Sequence, residues 1–220
     1  TSCGDGCFSN NNITKARLSE QMPIIPDGFL SMNIRMENIT LPECITDIGQ
    51  TAFAGARLTE LTIPSNVTHI GRKAFHLHHL SELTIPGNVK TIDDNAFEGT
   101  FKGQTLKSLT IEEGVESIGN GCFKEGLLTE VTLPASVKSF GYKVFENNVG
   151  IDPEKGDHRV RVLYSDASQR ALFTEGDNTI LIEKVDTPIE NPINVTRLSG
   201  DDCYGTNLDT IKNDIETNGL

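Results

Sequence analysis

Apolar and polar residues alternate along this chain in short bursts, and the bursts recur. Phe53, Phe75, Phe97, Phe123 and Phe145 mark the period, with spacings of 22, 22, 26 and 22 residues; the long one carries four extra residues around Phe101 to Thr105. Six more apolar columns keep the same register. They begin at Met36, Leu58, Leu80, Leu106 and Leu128, and continue through Ile39, Leu61, Leu83, Leu109 and Val131. Next come Leu41, Ile63, Ile85, Ile111 and Leu133, then Ile45, Val67, Val89, Val115 and Val137. The last two are Ile48, Ile70, Ile92, Ile118 and Phe140, and Ala52, Ala74, Ala96, Cys122 and Val144. Every slot is apolar in a chain that is 36% hydrophobic, so the period reflects a structural unit rather than chance.

Each unit predicts its own elements. The Leu-x-Leu-x-Ile alternation has period two and predicts a short strand with one face inward. Pro42, Pro64, Pro86 and Pro134 end that strand, because proline has no N–H for a ladder. Gly49, Gly71, Gly119 and Gly141 follow the Ile column and predict a tight turn. The Ala-Phe step is expected on a helical or 3₁₀ turn. One unit cannot bury its own apolar face, whereas stacked units bury each other's. The expected fold is a right-handed α/β solenoid, with parallel strands about 4.8 Å apart on one face and turns and short helical segments on the other.

The pattern also divides the chain. Residues 1–35 are expected to form an N-terminal cap with a degenerate half-unit at Ile24-Ile25-Pro26-Asp27-Gly28-Phe29, and residues 36–150 to hold five repeats. Residues 151–185 are expected to close the other end, with strands at Val160 to Tyr164 and Thr179 to Val185 and a short helix capped by Asp166. Residues 186–220 read as a linker and a short amphipathic helix carrying Leu208, Ile211 and Ile215. One polar column, Cys44, Asn66, Asn88, Gly114 and Ser136, is expected to satisfy backbone groups in the turn after the strand. Cys44 then reads as a buried, inert substitute for asparagine.

The segment pattern LxxLxIPxxVxxIGxxAF resembles the BspA-like leucine-rich repeats, also called the Treponema pallidum type. Five units match over about Met36 to Asn147, and the Ile-Pro, Ile-Gly and Ala-Phe pairs make the match specific. Asp93 stands in place of the glycine and Glu112 in place of the proline, so the third and fourth units depart locally. The resemblance implies a leucine-rich-repeat solenoid, a cell-surface or secreted location, and adhesion to host or matrix proteins or to other cells. It brings no catalytic motif with it.

Charge and chemistry narrow this further. The formal net charge is −12 with no Lys/Arg cluster, which argues against nucleic acid and anionic membrane surfaces and favours a basic partner surface. No apolar run reaches the ~18–20 residues of a membrane span. The chain opens Thr1-Ser2-Cys3 and is read as a mature or trimmed piece of a longer precursor. Five cysteines are an odd count, and pairing of Cys3 with Cys7 is left open. No phosphate loop, G-x-S-x-G elbow or H-E-x-x-H helix is present, so no catalytic residue, metal site or cofactor is assigned. His69, His76, His78 and His79 read as an ordinary turn between units, with two of them facing water.

The outward strand positions carry the candidate site. Thr40, Thr62, Thr84, Thr110 and Thr132 form one column, and Asn38, Glu60, Glu82, Ser108 and Glu130 run beside it. Threonine suits a stacked β-branched ladder, but stacked like charges repel, and a basic protein ligand would relieve them. A structural spacer within a larger surface protein is the alternative role. So is a glycan-binding module, although the chain has no Trp for sugar stacking. The oligomeric state is not set by the pattern.

Overall fold

The computed structural model describes residues 3–99, 105–148, 159–173 and 179–183. All of them lie in the first of two units, Thr1–Lys184 and Val185–Leu220, so the expected linker and amphipathic helix of 186–220 lie outside the described residues. The strands, in chain order, are β1 (Ile24–Ile25), β2 (Asp47–Ile48), β3 (His69–Ile70), β4 (Glu82–Ile85), β5 (Thr91–Ile92), β6 (Ser108–Ile111), β7 (Ser117–Ile118), β8 (Glu130–Leu133), β9 (Ser139–Phe140), β10 (Val160–Tyr164) and β11 (Thr179–Glu183). Every pairing between them is parallel, as a solenoid requires.

One sheet is a ribbon of two-residue strands in the order β1-β2-β3-β5-β7-β9. Its register sets Ile25, Ile48, Ile70, Ile92, Ile118 and Phe140 in one inward row. The row starts at Ile25, so the half-unit Ile24-Ile25-Pro26 pairs as a turn of the same stack. The other face carries β4 paired with β6, and β8 paired with β10, which pairs in turn with β11. Within β4, β6 and β8 burial alternates exposed–buried, as period two requires. The matching segments at 36–41 and 58–63 do not close a ladder. They are held by single contacts, such as Thr59 N–H to Glu37 O at 2.9 Å and a bridge between Arg17 and Thr40.

The Ala-Phe step corrects an expectation: it is a turn and not a helical segment. The residue before each Ala is left-handed, with φ of 53° at Thr51, 55° at Lys73 and 58° at Asn95, and Lys143 before Val144 matches them at 58°. A right-handed helix cannot propagate through such residues. Each turn hydrogen-bonds to the next one instead, Phe53 N–H to Ala74 O at 2.7 Å and Phe75 N–H to Ala96 O at 2.8 Å. The five rings then stack with centroids 5.3, 5.1, 5.8 and 6.1 Å apart, every one of them fully buried. The close turn at Gly71 has a steric cause, since a Cβ there would stand 2.8 Å from Gln50 N and 2.9 Å from Ile48 O.

The polar column does what its composition suggests. Asn66 Nδ2 donates to Glu43 O at 2.6 Å, Asn88 Nδ2 donates to Val67 O, and Ser136 Oγ donates to Val115 O at 2.7 Å. Cys44 fills the same role weakly, its thiol 3.4 Å from Met22 O, but it is half-buried rather than buried. Beyond the fifth repeat, Asp166 caps the 3₁₀ helix Ala167–Leu172 by accepting from Ser168 N at 2.9 Å. That helix places Gln169 so that its amide donates to Pro134 O at 2.7 Å and Val137 O at 3.3 Å. Gln169 thus serves Val137 as Asn88 serves Val67.

Candidate partner-binding face

The strand face is built from residues that the core forces outward. Because Leu83, Ile85, Leu109, Ile111, Val131 and Leu133 are buried, the residues between them must point away. Thr84 lies opposite Thr110 and Glu82 opposite Ser108 in the β4–β6 register. All ten candidate residues, Asn38, Thr40, Glu60, Thr62, Glu82, Thr84, Ser108, Thr110, Glu130 and Thr132, are exposed.

The electrostatics differ from a plain acidic stripe. Strand β10 sets Arg161 opposite Glu130, and the two pair at 3.1 Å. At the other end of the face, Arg17 lies beside Thr40. Ser108 separates Glu82 from Glu130. Glu60 and Glu82 therefore carry the anionic charge of the centre, and neither has an ionic partner among the described residues. The arginines were legible in principle: aligning Val162 with Val131 puts Arg161 in the Glu column. That alignment crosses the polar sequence at 146–158, where the 22-residue period lapses.

The histidine cluster is divided by the fold. His69, His76 and His79 are half-buried, while His78 is fully buried and closes the expected turn between units. Nδ1 accepts the Leu80 N–H at 3.0 Å and Nε2 donates to Phe97 O at 3.0 Å, which fixes the neutral tautomer. Burial pulls its pKa down to about 4. Asn33 and Asn148 are buried in comparable turns, where their amides bond Leu30 O and Phe145 O at 2.8 and 2.9 Å. His69 points to the ribbon sheet instead, 3.1 Å from Asp93 and 3.9 Å from Asp47, and His76 lies 3.3 Å from Glu98. Among the described residues no group of three or more His, Cys, Asp or Glu side chains is placed to hold a metal ion. Cys122 is fully buried in the Ala column, and burial pushes its thiol pKa far up, away from nucleophilic chemistry.

Parallel strands stacked by a 22-residue unit, with an exposed strand face and a closed aromatic core, define a leucine-rich-repeat solenoid of the protein-interaction class. Residues 1–102 and 98–153 match the BspA type leucine rich repeat region, in six copies, and the chain belongs to that family. Solenoids of this family are typically non-enzymatic binding modules. Among solved structures, a leucine-rich repeat protein from Bacteroides ovatus is similar, with a TM-score of 0.59 and 23% identity over 74% of this chain and 42% of that one. That likeness bears on the fold, and the chain spans less than half the length of that protein. No curated protein matches the chain. No helix among the described residues is long and apolar enough to cross a membrane.

Proposed function

We propose that this chain is a secreted or cell-surface adhesion module that holds a protein partner on its strand face. The exposed threonine column supplies neutral contacts, and Glu60 and Glu82 supply the charged ones. The observation that carries this reading is the state of those two carboxylates. Both are exposed, Glu82 on β4 and Glu60 in the matching segment 58–63, and no cation among the described residues neutralises them. Glu130, by contrast, is already paired with Arg161. A partner that brings a basic surface to the centre of the face gains attraction and relieves the repulsion along the column.

An array of matrix proteins and host-surface glycans is the direct test. A protein ligand is expected to bind with an affinity that falls as salt rises. The double variant Glu60→Gln/Glu82→Gln is expected to weaken that binding roughly tenfold. Glu130→Gln is expected to change it little, because the Arg161 it leaves behind is part-exposed and readily hydrated. Equal binding by all three proteins would remove the strand face as the site. Binding of glycans alone would point to the carbohydrate role.

A further inference from the structure

The first turn of the stack differs from the others in one pair of residues. Gly6 N–H bonds Asp27 O at 2.7 Å, as Gly28 N–H bonds Gln50 O at 2.7 Å and Thr51 N–H bonds Arg72 O at 2.9 Å. These residues share the left-handed conformation, with φ of 60° at Gly6, 61° at Gly28 and 53° at Thr51. Residues 3–10 therefore form a turn in register with those that follow, extended by Phe8 N–H to Phe29 O at 3.1 Å and Asn10 N–H to Ser31 O at 2.8 Å. Counting three back and one forward from the left-handed residue gives each turn's inward pair. In later turns it is Ile25/Phe29, Ile48/Ala52, Ile70/Ala74, Ile92/Ala96 and Ile118/Cys122, all buried, and Phe140/Val144, in which Phe140 is half-buried. In the first turn the pair is Cys3/Cys7.

Cys3 and Cys7 therefore occupy, within one turn, the two positions that the inward pair holds in the later turns. Cys3 is half-buried and packs against the hydrophobic core, whereas Cys7 is exposed. The Cys7 thiol is pushed up to about 11, by desolvation first and then by the neighbouring Cys3 thiol. The other described cysteines have separate duties, Cys44 in the polar column and Cys122 in the Ala column. Gly4 and Gly6 in between leave the short loop free to adjust, and a Cβ at Gly4 would touch nothing within 4 Å.

We propose that Cys3 and Cys7 are a disulfide site that staples the first turn of the solenoid. The oxidant is a low-molecular-weight disulfide, RS–SR. The exposed Cys7 loses its proton, and its thiolate attacks one sulfur, breaking the S–S bond and releasing RS⁻. The Cys3 thiolate then attacks Cys7 Sγ in the mixed disulfide, forms the Cys3–Cys7 bond and releases the second RS⁻. The two protons from the protein leave with the two thiols, and the oxidant gains the two electrons. The bond takes the place of the apolar pairs, such as Ile48/Ala52 and Ile70/Ala74, that fill the later turns, and it confines the end turn in the unfolded chain.

The test uses the full chain treated with oxidised glutathione at pH 8.5, then alkylated and digested with trypsin. The peptide from Thr1 to Lys15 is expected to take up no alkyl group and to be lighter by two hydrogens. Exchange of the Gly6, Phe8 and Asn10 amides is expected to slow at least about tenfold on oxidation, and to return to its former rate with a reductant. Cys44→Ser is expected to behave like the parent protein, and Cys3→Ser to lose both effects. Should Cys3→Ser fail to fold, oxidation and reduction of the parent protein give the same readout. Two alkylated thiols in that peptide after oxidation would overturn the site. So would a stable glutathione adduct at Cys7, or a bond from Cys7 to Cys44 or Cys203.

Discussion

Phe97→Ala is expected to cost the solenoid about 3–5 kcal/mol, the range for truncating a fully buried aromatic residue. Phe97 is the central ring of the ladder, 5.1 Å from Phe75 and 5.8 Å from Phe123, with the His78 ring edge-on at 6.4 Å. Its removal opens a void bounded by rings on both sides. Those rings cannot close over it, because hydrogen bonds such as Phe75 N–H to Ala96 O at 2.8 Å fix the distance between turns. In a stack held by nearest-neighbour contacts, a defect at the centre uncouples the two halves. Urea unfolding followed by circular dichroism is therefore expected to lose cooperativity as well as to shift its midpoint. A shift worth under about 1 kcal/mol would mean that the ladder relaxes freely, contrary to the packing described.

Acid is expected to weaken the fold through His78. Its folded pKa is lowered by burial to about 4, against the ordinary 6.5 of the unfolded chain. Between those values the unfolded state binds more protons, so stability is full above about pH 6.5 and is lost as the pH falls toward 4. The complete loss is about 3 kcal/mol, at about 1.4 kcal/mol per unit. Protonation also turns Nδ1 into a donor facing the Leu80 N–H that it accepts in the neutral form. His76 adds to the trend in the same direction, since burial lowers its pKa in spite of Glu98 beside it. Melting temperatures recorded from pH 7 to pH 5 are expected to fall steadily for the parent protein. His78→Asn, which copies the amides of Asn33 and Asn148, is expected to keep the fold and flatten most of that slope. An unchanged slope in the variant would assign the acid sensitivity elsewhere.

The core was legible in the sequence because it is periodic. Seven columns repeat through five units, and each column has one solution in a stacked solenoid. The polar column was legible for a related reason: a buried turn leaves carbonyls that only short polar side chains can reach, and Asn66, Asn88 and Ser136 reach them. What stayed hidden is what the repeat does not copy. The left-handed sites hold Thr51, Lys73, Asn95 and Lys143, residue types with no shared composition, so no column announced the turn. The duties of His78, Asn33 and Asn148 depend on one local pocket each. Arg161 reaches Glu130 only after a stretch of sequence in which the repeat period lapses. The ten strand-face positions were legible as exposed, since alternation alone dictates it. Their charge balance was not, because it depends on segments outside the repeats.

The irregular third spacing has a practical meaning. Four additional residues enter between Phe97 and Leu106, yet Phe97 still stacks on Phe123, and Glu82 through Ile85 still pair with Ser108 through Ile111. The corner between the aromatic turn and the strand face is thus a place where chain length is not gauged by either neighbour. Inserted sequence at the equivalent corner after Phe123 is expected to be accommodated in the same way. Such corners border the strand face, so the fold offers graft points for new recognition loops that leave the stack itself undisturbed.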